Sequence, residues 1–180
     1  LFLLLIAGPF VVFIIIFMSI ASNNIGGVPF MLMQLLTLCA MSVVFFWIYA
    51  LATNLNRKLP DEMPMNINRF KVFWAIPYLY ITSMYLFMMF AVQFITKGNV
   101  PNPFIFLLII PLHLFSMFCI FYCLYFVAKS LKAVELQRKV SSGDYIGEFF
   151  IIWFFPIGIW FIQPRVNKLF AEDNNVEINY

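Results

Sequence analysis

The chain has 180 residues, of which 64% are hydrophobic, 20% aromatic and only 11% charged, against roughly 25% charged in a soluble domain. So small a chain cannot bury that much apolar surface in a core of its own, so the composition excludes a water-soluble globular protein and makes lipid the solvent. A formal net charge of +3 is too small to signal nucleic acid.

Four charge-free apolar runs follow in chain order, over 1–20, 30–52, 72–96 and 104–128. About 20 helical residues cross a hydrocarbon core of about 30 Å. Without water at that depth the backbone must satisfy its own hydrogen bonds, so each run predicts a transmembrane helix. Run 1–20, interrupted at Gly8-Pro9, is longer than a signal-peptide apolar region and is expected to be a span. Because the chain opens on Leu1 rather than Met, processing or an upstream segment is expected.

The connections are unequal in charge. Segment 21–29 has none and 97–103 has only Lys97, whereas 53–71 carries Arg57, Lys58, Arg69 and Lys71, and 129–147 carries Lys129, Lys132, Arg138 and Lys139. The positive-inside rule places 53–71 and 129–147 in the cytoplasm, and with them the N-terminus. Trp47, Tyr49, Trp74, Tyr122 and Tyr125 fall near the same predicted membrane face, as interfacial anchors do.

Beyond residue 128 the fourth helix is expected to continue as a basic extension, with Lys132, Glu135 and Lys139 on one face and Glu135–Lys139 as an i,i+4 pair. "SSGD" then predicts a break, with Asp144 as N-cap of the next helix. The run 149–162 has 14 apolar residues, about 21 Å as a helix, too short for an ordinary span. Pro156 lacks an N–H and Gly158 tolerates positive φ, so the pair predicts a turn, flanked by Trp153 and Trp160. Segment 148–170 is therefore expected to re-enter or lie in the interface, with a fifth thin span as the alternative. A polar tail over 171–180 ends the chain.

Three patterns in this third of the chain, "K-S-L-K-x-V-E-L-Q" from Lys129, "D-Y-I-G-E-F-F" from Asp144 and "W-F-F-P-I-G-I-W-x-x-Q-P-R-x-N-K" from Trp153, resemble small polytopic membrane proteins of the Bacteroidota. The resemblance implies a bacterial inner-membrane address. It brings no known activity and no catalytic residues.

The candidate site residues are few. His113, the only histidine, shares a helical stripe with Ser116, Cys119 and Cys123, and Cys39 is expected at similar depth. Such a stripe suits structural hydrogen bonding and packing, with a proton or polar-substrate path and a metal as sharper alternatives. The three cysteines lie in apolar runs, unlike a disulfide framework. Gln34 and Gln93 read as interhelical glue, and Glu148 as an acid seeking Lys139, Arg165 or Lys168. Lys129, Lys132, Arg138, Lys139, Arg165 and Lys168 are candidates to face anionic lipid or a partner. Scattered Met residues suit packing better than copper.

No HExxH, G-x-S-x-G, phosphate loop or paired intramembrane carboxylate occurs. The expectation is an all-α membrane protein of four transmembrane helices plus the C-terminal segment, not an enzyme and without a cofactor. It would contact membrane lipids and other integral subunits, but not nucleic acid, as an accessory subunit of an inner-membrane complex. The alternative is a small homo-oligomeric channel or transporter, gated by Pro156–Gly158 and lined by the His113 stripe.

Overall fold

The computed structural model describes residues 28–60, 63–99, 102 and 104–177. The span expected over 1–20 lies outside them. Among the described residues all regular structure is helical: α1 (Val28–Asn56), α2 (Ile67–Thr96), α3 (Phe104–Leu136), α4 (Ser142–Trp153) and α5 (Phe155–Glu177). The first three are long and apolar enough to cross a membrane, so the chain is a multi-pass membrane protein.

Each long helix outruns its apolar run at the charged end. The 30 residues of α2 begin ahead of the run at 72, because Asn66 caps it: its side-chain Oδ1 accepts the Arg69 amide at 3.0 Å. The 33 residues of α3, about 50 Å of helix, carry the expected extension to Leu136. There Gln137 turns left-handed at φ 47° and closes the helix by donating from Nε2 to the Val134 carbonyl at 2.8 Å. Lys139 therefore lies beyond the helix, and Glu135 pairs instead with Lys132 and Arg165. Pro77 and Pro111 sit inside α2 and α3, as transmembrane helices allow.

The described chain forms two compact units, and the division cuts all three long helices. The first holds residues up to Trp47 together with Trp74–Ile120. Its packing is aromatic: Trp74 donates from Nε1 to the Phe45 carbonyl at 2.7 Å and stacks on Tyr78, centroids 5.2 Å apart, while Phe45 and Phe46 pack on both rings.

The second unit joins Ile48–Phe73 to the chain from Phe121 onward, so it contains both basic connections. Leu55, Phe70, Phe126, Val127, Leu131, Ile152 and Ile162 are its largest fully buried side chains. Phe70 packs on Phe126 at 4.8 Å and Phe73 on Tyr122 at 4.5 Å, a register that makes α2 and α3 antiparallel here.

Two local expectations are corrected. The N-cap of α4 is Ser141, not Asp144. Asp144 sits at the third helical position, where its carboxylate accepts the Ser141 amide at 2.7 Å and hydroxyl at 3.0 Å, the reach-back half of a capping box. Those bonds hold the Asp144 carboxyl below its ordinary range, helped by Arg138 at 3.3 Å.

The turn of the hairpin falls at Phe154 (φ −79°, ψ 57°), ahead of the expected Pro156–Gly158. The Phe154 carbonyl accepts the amides of Ile157 and Gly158, which starts α5. Pro156 then stands in the first turn, where a missing N–H costs nothing. Gly158 is helical rather than left-handed. It is there for space: a Cβ would collide with the carbonyl of Ile151 and come within 3.3 Å of the Ile152 Cα. The two arms of the hairpin touch through backbone at this point.

Candidate functional site

The most developed polar arrangement among the described residues lies in the second unit, where α3, α4 and α5 meet. The extension of α3 presents Lys132 and Glu135, one turn apart. Glu148 comes from the middle of α4 and Arg165 from α5. Arg165 grips Glu135 with two parallel bonds, Nε to Oε1 at 2.7 Å and Nη2 to Oε2 at 2.5 Å, and donates from Nη2 to Glu148 Oε1 at 3.0 Å. Lys132 donates to the same Glu148 oxygen at 2.9 Å and lies 3.3 Å from Glu135.

Two acids meet two bases, so the network is neutral and closed on itself. Glu148 is only 7% exposed. Burial alone would raise its carboxyl, but bonds from Lys132 and Arg165 outweigh that and hold it below the ordinary glutamate range. The bidentate bond to Glu135 raises the Arg165 guanidinium still further.

A second tie reaches α5 from the other basic connection. Lys58 donates to the Leu169 carbonyl at 2.7 Å, and its ammonium lies 4.1 Å from the centroid of the Phe170 ring. A cavity of about 260 Å³ lies nearby among Asn56, Leu59, Pro60, Pro64 and Met65. The buried Asn56 Oδ1 has no protein partner, and a water held there would satisfy it.

The remaining sequence candidates are dispersed. His113 is exposed on α3 and its Nδ1 lies 3.2 Å from the Tyr80 hydroxyl. Ser116 and Cys119 are buried in the same unit, and Cys123 is buried in the other. Cys39 is exposed on α1. Gln34 is buried and Gln93 half-buried. No group of three or more His, Cys, Asp or Glu residues suited to a metal occurs among the described residues.

Of the six basic candidates, Lys132, Arg138 and Arg165 face carboxylates of the chain itself. Lys139 and Lys168 are exposed, and Lys129 is half-buried. The Glu148–Arg165 pairing follows the expected partner choice. The sequence reading missed the Glu135–Arg165 bond and the Lys58 tie, because both join positions far apart in the chain; the only signal was an excess of charge in two connections. No family model, curated protein or solved structure matches this chain.

Proposed function

We propose that this protein is a non-catalytic accessory subunit of a bacterial inner-membrane assembly, with four spans, a cytoplasmic N-terminus and a re-entrant or interfacial segment over 148–170. The observation that carries the subunit reading is how little apolar surface the chain buries inside itself. Only 11% of the most apolar window of α2 is buried, and 22% in α1 and α3. Phe90, Phe104, Leu107 and Leu108 are 73–77% exposed. Large side chains open in this way supply broad contact area for lipid and for neighbouring helices, while the Lys132–Glu135–Glu148–Arg165 network is spent on internal pairing.

The re-entrant reading draws on the ion pairs. Glu148 and Arg165 are 17 residues apart, about 25 Å along a straight helix, yet they touch at 3.0 Å. Lys58 and Glu135 hold the returning arm from both basic connections. The channel alternative draws less support, since Gly158, half of its gate, is used as a contact between helices.

Native mass spectrometry of protein extracted gently from its own membranes tests the subunit reading. Stoichiometric foreign membrane subunits are expected. A strictly monomeric species, or a homo-oligomer alone, would sink it.

A further inference from the structure

Lys129 and Arg69 are basic residues that pair with no carboxylate among the described residues. Lys129, half-buried on α3, donates to the Tyr125 hydroxyl at 2.9 Å and lies 5.4 Å from the centroid of that ring. Arg69, exposed in the first turns of α2, is held next to Phe70, which packs on Phe126. The antiparallel register set by Phe70–Phe126 and Phe73–Tyr122 brings Arg69 and Lys129 to about one helical turn of each other along the helix axes. The Tyr122 and Tyr125 rings are 6.2 Å apart. Among the described residues no carboxylate pairs with either cation.

Two like charges against two phenols repel each other, and an anion between them removes that cost. We propose that Arg69 and Lys129, with the Tyr122 and Tyr125 hydroxyls, bind the phosphate of an anionic membrane phospholipid. A guanidinium fork matches phosphate oxygens, an ammonium adds a point charge, and a phenol accepting from Lys129 keeps its own O–H to donate. Tyr122 and Tyr125 fall near the end of the apolar run 104–128, and tyrosines at such a boundary lie at headgroup depth, where lipid phosphates are. This inference needs only the membrane setting, so it stands or falls separately from the subunit reading.

The test titrates the purified full chain in detergent with phosphatidylglycerol and counts bound lipid by native mass spectrometry. At about fivefold per cation, the double variant Arg69→Gln/Lys129→Gln is expected to bind roughly 30-fold more weakly. Lys71→Gln/Lys168→Gln, with the same change in net charge, is expected to lose less than about threefold. If the first variant fails to fold, Tyr122→Phe/Tyr125→Phe replaces it, with a several-fold loss expected. Equal losses in the two charge doubles would reduce the site to diffuse surface charge and overturn the proposal. So would inorganic phosphate binding at low millimolar concentration where phosphatidylglycerol does not, which would assign the site to a soluble anion.

Discussion

Gly158 and Gly147 look alike in sequence, one helical turn either side of aromatic runs, yet they do opposite things. An added methyl at Gly158 would strike the backbone of Ile151, whereas one at Gly147 would meet nothing within 4 Å. Backbone cannot step aside as a flexible side chain can, so Gly158→Ala should force the arms apart and cost about 1–3 kcal/mol. Gly147→Ala should be neutral or gain about 0.5–1 kcal/mol from helix propensity. Thermal unfolding of both variants in detergent checks this. Equal tolerance would mean that the close approach at Gly158 does not hold the hairpin. The same lesson applies to Ser141 and Asp144. The residue types "SSGD" announce a helix start, but only the geometry shows which residue caps it and which reaches back.

The hairpin is the element whose stability depends most on charge. Removing one member of a fully buried ion pair costs about 3–5 kcal/mol because a charge is left stranded. Here the Arg165 side chain stays 32% exposed, so Glu148→Ala should cost less, about 2–3 kcal/mol. The pH dependence follows from the direction of the Glu148 shift. Its folded carboxyl is more acidic than the unfolded one, so its contribution is complete above the ordinary glutamate value of about 4.3 and is lost as pH falls through the lower folded value. The raised Arg165 guanidinium would surrender its share only at pH far into the alkaline range. Protease access to 142–177 should therefore stay flat from about pH 8 to about pH 5 and rise below about pH 4.3 in wild type. In Glu148→Gln that acid step should shrink. An unchanged acid step in the variant would remove Glu148 as the latch.

At the scale of the whole molecule the question is which side of the membrane each segment meets. With the native cysteines replaced, Lys139→Cys and Lys168→Cys should react with an impermeant thiol reagent from the same, cytoplasmic side, and Asn102→Cys from the other. Labelling of Lys168→Cys from the outside would convert the hairpin into a fifth crossing. Much of the helical plan was legible in the chain itself. Three apolar runs of span length, the basic bias of two connections and the helical extension after residue 128 follow from composition and periodicity, because a bilayer enforces one rule on every backbone that enters it. The tertiary structure alone decided the rest. Arg165 chose Glu135 and Glu148, and the hairpin turned at Phe154 rather than at its Pro-x-Gly. Three of six basic residues were spent inside the chain, while Lys129 bonds to the Tyr125 hydroxyl instead. Pairing and close approach depend on which helices come together, and helices that carry large apolar side chains on every side say little about that in their sequence.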